Sequence, residues 1–239
     1  MFSNINIVLL NTSHPGNIGS TARAMKTMGL NNLKLVNPKE FPSDQATARA
    51  VGCSDILEQS EIFDNLSSAI SSSEVTIGFS ARKRKANIPI LHIDECIKLM
   101  LNEDIHEYNI LFGNEKSGLS NDELLVCDYI VSLPTDSAYQ SLNLSAAVQL
   151  FVYELFKNSS ASSTAAPQKL SLLASNNEKD FFYSELFKLL TTTKFISPKN
   201  QKSLTKRIHI LFNKAKLEKE EVNILMGMIN SINKKLKNS

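Results

Sequence analysis

Short, continuous apolar runs alternate with amphipathic stretches along the first two thirds of this chain. Residues 5–10 (Ile-Asn-Ile-Val-Leu-Leu), 33–36, 75–79, 109–112 and 129–134 read as strands, rich in β-branched and aromatic residues. Their apolar positions run on rather than alternate, as in parallel strands buried on both faces. Between them, residues 20–28 are helical and closed by Gly29, a second helix starts near Ser43 and Asp44 and runs to Val51 with Gly52 behind it, and 64–71 and 93–101 follow the same period. Ser120 with Glu123 forms a capping box for a helix reaching about Cys127, and 143–156 is a long helix. Residues 11–19 read as a turn-rich loop and 54–59 as a short strand. Strand and helix in alternation predict an α/β class, a parallel sheet flanked by helices.

The pattern changes near residue 158. Residues 158–167 are Ser, Ala and Thr with one Asn and one Pro, a composition suited to a linker. Beyond it, 178–191, 199–214 and 219–236 carry apolar residues at helical spacing, such as Leu204, Ile208, Leu211 and Phe212, or Val222, Leu225, Met226, Ile229 and Ile232. The expected division is a catalytic-sized α/β domain over 1–157, a linker over 158–175, and a small all-α unit over 176–239.

No apolar run reaches the ~18 residues that span a bilayer, and the N-terminus lacks a basic segment leading into an apolar one. A cytoplasmic location without membrane contact is expected. Cys53, Cys96 and Cys127 are too scattered for a disulfide framework or a zinc site and read as core thiols. The formal net charge is only +2, from 26 Lys and Arg against 24 Asp and Glu. Yet 14 of those cations and only 6 of those acids lie from Gln168 onward, so the tail alone is strongly basic. Such asymmetry fits a polyanion partner, or a solvated lysine-rich surface.

The chemistry gathers where strands end, because open α/β sheets bind ligands beyond the carboxyl ends of their strands. Strand 109–112 runs into Gly113-Asn114-Glu115-Lys116-Ser117-Gly118, and strand 129–134 into a loop closed by Ser141-Leu142-Asn143-Leu144-Ser145. The first strand delivers Asn17 and Arg23, and strand 75–79 runs into Arg82-Lys83-Arg84-Lys85. Four cations at a strand end suit phosphate or RNA contact, with a solvated run as the plainer reading. Taken alone, Glu115 reads as readily as a cap for a loop amide, and Asn17 as a turn residue. Neither a Walker loop nor a dinucleotide glycine fingerprint is present, which removes nucleotide-dependent oxidoreductases from consideration.

Three stretches taken together resemble the SPOUT superfamily of RNA methyltransferases, in the TrmH/SpoU branch that methylates ribose 2′-hydroxyls. They are Asn17-Ile18-Gly19-Ser20-Thr21-Ala22-Arg23, then Leu111-Phe112-Gly113-Asn114-Glu115 with Gly118, then Leu133-Pro134 followed by Ser141-Leu142-Asn143-Leu144-Ser145. Residues 211–227 further resemble the helical tail of one bacterial subgroup, which acts on cytidine or uridine at position 32 of the tRNA anticodon loop. The resemblance thus covers nearly the whole chain. It departs at Asn114, where relatives often carry Arg, and at Phe79, where they carry Thr.

The resemblance implies a parallel sheet whose C-terminal part is threaded into a trefoil knot. It implies S-adenosylmethionine as cofactor, contacted by Phe79, Ser80, Ala81, Gly113, Leu133, Ser141, Leu142 and Asn143, largely through backbone. It implies a homodimer acting on tRNA and not DNA, with Arg23 of one chain serving the cofactor site of the other. Arg23, Glu115, Ser141 and Asn17 are the implied catalytic set. With a pKa above ~12, Arg23 suits stabilising a developing alkoxide and clamping a phosphate better than abstracting a proton. Arg23, Arg82, Arg84, Lys202, Lys206 and Arg207 are the implied RNA contacts. Ribosomal RNA or another tRNA position as substrate, and a non-catalytic RNA-binding relative, stand as alternatives.

Overall fold

The computed structural model describes residues 2–81, 88–101, 105, 107–159 and 173–237. Seven strands form one sheet in the order β3-β2-β1-β6-β4-β7-β5, every neighbouring pair parallel. In chain order these are β1 (Ile5–Leu10), β2 (Asn32–Val36), β3 (Glu61–Phe63), β4 (Val75–Phe79), β5 (Ile90–Leu91), β6 (Tyr108–Phe112) and β7 (Tyr129–Val131). Strands β1, β4, β6 and β7 are buried at every position, which is why their apolar runs are continuous.

Helices cover both faces. On β1, Ile5, Ile7 and Leu9 join one core with residues of α1 (Pro15–Thr27), α2 (Asp44–Arg49), α5 (Ile93–Met100) and α7 (Leu144–Ser159). Val8 and Leu10 point the other way, into a core with α4 (Leu66–Ile70) and α6 (Asn121–Leu125). Gly19 explains how closely α1 and α2 pack, since a Cβ there would lie 2.0 Å from the Ala46 carbonyl oxygen.

Two expectations are corrected, and one strand is added. Residues 54–59 are not a strand: α3 (Ser54–Glu58) occupies them, burying Ile56 and Leu57, and the strand lies beyond at β3. The first helix starts at Pro15, whose lacking N–H costs nothing at a helix start, so Asn17 sits in its first turn and not in a loop. The added strand, β5, is short: Ile90 and Leu91 pair with Ile130 and Val131 of β7.

The tail folds into α8 (Asn176–Thr192), α9 (Gln201–Ala215) and α10 (Lys219–Lys237) around Phe182, Tyr183, Leu189, Val222 and Ile229. It docks at the end of the sheet opposite the strand carboxyl ends. The buried Asn176 amide donates to the Ile70 carbonyl, Ser73 Oγ and Thr76 Oγ1 at 2.9–3.0 Å. Lys179 Nζ donates to the Glu74 carbonyl at 2.9 Å and lies 3.7 Å from Asp128, both side chains 13% exposed. Of the expected linker, Asn158 and Ser159 belong to α7 and Leu173 bridges to Glu218, while 160–172 lie outside the described residues.

Candidate active site

A cavity of about 360 Å³ opens where β4, β6 and β7 end, within the ~300–1,000 Å³ typical of small-molecule sites. Its walls come from three chain segments. Phe79, Ser80 and Ala81 leave β4, Gly113 to Gly118 leave β6, and Leu133, Thr135 and Gln140 to Leu142 follow β7. The floor is aromatic: Phe79 stacks on Phe112 at 4.7 Å between ring centroids, and Phe151 of α7 meets Phe79 edge-on at 5.1 Å. Phe79 is thus part of the cavity floor.

Gly113 admits no side chain. A Cβ there would fall 2.2 Å from the Gly118 carbonyl carbon and 2.3 Å from the Leu119 nitrogen, so the 113–118 loop folds directly onto its own start. Gly118 takes φ +65° to close that loop, and its N–H donates to the Asn114 carbonyl at 2.7 Å. Asn114 spends its side chain on the same loop, donating to the Asn11 carbonyl and accepting from Lys116 N–H at 2.9 Å. This position thus tethers the cavity wall to the end of β1.

Glu115 is the most heavily hydrogen-bonded group of the site. Its carboxylate accepts from Ser13 N–H at 3.0 Å, Ser13 Oγ at 2.8 Å, His14 N–H at 3.1 Å and Asn17 Nδ2 at 2.9 Å. Partial burial raises its pKa, but the bonds from Ser13 N–H, the Asn17 amide and the Ser13 hydroxyl outweigh this and hold it at about 2. The capping role and the positioning role are thus one: Glu115 satisfies amides that open α1 and in doing so fixes Asn17. Asn17 Oδ1 in turn accepts from Asn143 Nδ2 at 3.0 Å, and Asn143 Oδ1 accepts from Ser145 and Ala146 N–H to start α7. One chain of hydrogen bonds joins all three stretches that the sequence singled out.

Of the residues implied as cofactor contacts, Phe79, Ser80, Ala81, Gly113, Leu133, Ser141 and Leu142 line the cavity. Asn143 is not among the lining residues and serves as the cap and link just described. Arg23 stands apart, exposed on α1, with no ion pair or side-chain hydrogen bond among the described residues, and does not line the cavity of its own chain. Arg82 and Arg84 lie outside the described residues. Lys202 and Lys206 share one side of α9 with His209 and Asn213, whereas Arg207, at about 100° per residue, falls on another side with Lys214, so the three do not form a single face. Sequence reasoning missed Thr135, Gln140, Lys116 and Ser117 as lining residues, and the backbone donors of Ser13 and His14. His209 packs against the rings of Tyr183 and Phe187 in the tail, and no group of His, Cys, Asp or Glu among the described residues is arranged to hold a metal.

Comparison with known proteins places this arrangement. Residues 4–153 match the SpoU rRNA Methylase family, and residues 177–239 match the tRNA methyltransferase TrmJ C-terminal domain. The chain is 42% identical over 235 residues, 97% of its length and 92% of the relative's, to the tRNA (cytidine/uridine-2′-O-)-methyltransferase TrmJ of Sodalis glossinidius. It is 38% identical over 246 residues, 98% of this chain and 95% of the other, to the tRNA (cytidine/uridine/adenosine-2′-O-)-methyltransferase TrmJ of Pseudomonas aeruginosa. The crystal structure of TrmJ from Z. mobilis superposes with a TM-score of 0.86 at 26% identity, covering 95% of this chain and 98% of that one.

Proposed function

This chain belongs to the SpoU methylase family with a TrmJ-type tail, a tRNA 2′-O-methyltransferase class, and from that premise we propose the following reaction. The enzyme transfers a methyl group from S-adenosylmethionine to the ribose 2′-hydroxyl of the cytidine or uridine at position 32 of the tRNA anticodon loop. The observation that carries this reading is the hydrogen-bonded chain Glu115–Asn17–Asn143 at the rim of a nucleoside-sized cavity.

The cavity fits the cofactor. An aromatic floor suits a purine, loops that present backbone donors and acceptors suit its edge, and Gly113 lets the main chain approach closely. When bound, S-adenosylmethionine supplies an electrophilic methyl carbon on a sulfonium. The protein must then bring a ribose oxygen in line with it and favour the oxygen's developing negative charge. Ser141, exposed on the cavity wall, can donate a hydrogen bond to the ribose or accept one from its 2′-hydroxyl, whose proton leaves to solvent as the methyl is transferred. Asn17, held by Glu115, orients the adjoining loop. Arg23 contributes the positive charge, binding the phosphate next to the target and stabilising the alkoxide.

Arg23 performs this in a homodimer. It is exposed on α1, and α7, which packs against α1, displays an apolar stripe of Ala146, Leu150 and Tyr153, with Leu150 43% and Tyr153 47% exposed. Covering that stripe with a second copy removes apolar surface from water and carries Arg23 to the partner's cavity. Residues 1–157 carry the reaction, and the basic tail over 176–239 supplies affinity for tRNA. No helix among the described residues is long and apolar enough to cross a membrane, and the tRNA substrate suits a cytoplasmic site of action.

The test is methyl transfer from labelled S-adenosylmethionine to unmodified tRNA, followed by digestion and mapping. Label in 2′-O-methylated cytidine or uridine at position 32 is the expected result. Label at another position overturns the site assignment, label only on ribosomal RNA overturns the substrate, and absence of cofactor binding overturns the reaction.

A further inference from the structure

The last helix carries two apolar faces, and the tail uses only one. Val222 and Ile229 are 4% and 3% exposed inside the tail core, with Leu225 and Met226 packed beside them. Ile224, Met228 and Ile232 lie on a different side and are 59%, 57% and 46% exposed. At about 100° per residue, Glu221, Ile224, Met228, Ile232 and Lys235 all fall within roughly 80° of arc, so this is one narrow stripe running most of the length of α10.

The stripe is chemically self-complementary about its middle. Met228 is central. Four residues to either side are Ile224 and Ile232, and seven residues to either side are Glu221 and Lys235. We propose that α10 packs antiparallel against α10 of a second copy of this chain, with Met228 on the two-fold axis. In that register Met228 meets the partner's Met228, Ile224 meets the partner's Ile232, and Glu221 meets the partner's Lys235, each contact occurring twice as an isologous interface requires. The intervals of three and four residues are those that let two helices interdigitate along a shallow crossing. Glu221 caps Glu218 N–H through Oε2 at 2.9 Å, which leaves Oε1 for the lysine.

Other occupants fit less well. An RNA phosphate needs donors, and the centre of the stripe is aliphatic. An anionic membrane surface selects basic flanks, whereas this stripe is acidic at one end and basic at the other. The contact is separate from the α1 and α7 surface, so it stands or falls independently of the methyl-transfer reading.

The register makes a cross-linking test specific. The three native cysteines are buried, so only an introduced thiol is available in the full-length protein. Under mild oxidation Met228→Cys is expected to give a two-chain disulfide on a non-reducing gel. Ile224→Cys alone and Ile232→Cys alone are expected to remain single chains, and an equal mixture of those two to cross-link. Asn223→Cys, exposed on another side of α10, is the control. Cross-linking of Ile224→Cys with itself, or of Asn223→Cys as readily as Met228→Cys, overturns the proposal. So does a Met228→Cys protein that unfolds at the wild-type temperature yet stays single-chain, together with a mixture of the other two that does the same.

Discussion

Glu115 and Asn17 are 98 residues apart in sequence, and their side chains meet at 2.9 Å. The carboxylate holds the opening of α1 by four hydrogen bonds, two of them to backbone. Glu115→Gln keeps the shape but turns an NH₂ group toward donors it cannot satisfy. Turnover should fall about 10²-fold through misplacement of Asn17, with the affinity for S-adenosylmethionine much less affected. An unchanged kcat would dismiss the positioning role.

The same residue sets a pH dependence. Its folded pKa of about 2 lies below the ordinary 4.5, so the ionised form is the one the fold favours. Stabilisation by Glu115 is therefore complete above about pH 4.5 and lost as pH falls toward 2. The stability gap between wild type and Glu115→Gln, from denaturant unfolding, should be constant between pH 6 and 8, by the same linkage, and narrow below about pH 4.5. A gap that does not change with pH would contradict this.

For Arg23, action across a dimer predicts complementation. Arg23→Ala should lose nearly all turnover, and Gly113→Ala should lose the cofactor site because its Cβ has no room. Refolded together in equal amounts, half the dimers are mixed, and one site in each has an intact cavity facing an intact Arg23. Activity should return to about a quarter of wild type. No recovery from demonstrably mixed dimers would place Arg23 in the service of its own chain.

Asn176 tests the docking of the tail. Asn176→Ala removes donors to three buried acceptors, Ile70 O, Ser73 Oγ and Thr76 Oγ1, and should cost about 2 kcal/mol. Differential protection of α8 in hydrogen exchange would show whether the tail loosens before the sheet does. A loss below ~0.5 kcal/mol would mean that water replaces the amide there.

The basic residues of α9 predict a salt effect. Lys202→Ala, Lys206→Ala and Arg207→Ala should each weaken tRNA binding and lower the slope of log affinity against log salt by about 1 where the residue meets a phosphate. Because Arg207 lies on another side of the helix from Lys202 and Lys206, its effect should differ from theirs. Three equal slopes would argue that the helix is wrapped by RNA and not approached from one direction.

Much of this architecture was legible in residue order because the central strands are buried on both faces and so write continuous apolar runs. Where burial is incomplete the reading failed. Ile62 in β3 is 55% exposed, so that strand left no run, while the adjacent pair Ile56 and Leu57 suited either period and belongs to a helix. Pro15 marked the start of α1, but its neighbour Gly16 made the segment look like a turn. In the site, topology pointed to the strand ends, and the resemblance of three stretches to a known family named the lining residues there. The donors that hold Glu115 did not, because the N–H groups of Ser13 and His14 are common to every residue. Asn176 likewise gave no sign in sequence that its amide is buried among distant acceptors.

The hydrogen-bonded chain through Glu115, Asn17 and Asn143 has a consequence for the order in which the protein is made. Its members emerge from a ribosome in the sequence 17, 115, 143, and the last wall of the cavity, Ser141 and Leu142, comes with Asn143. A growing chain that has exposed β1, β4 and β6 possesses most of its sheet and still lacks a closed cofactor cavity. The cavity is completed late, so a chain terminated before these residues has no closed cavity.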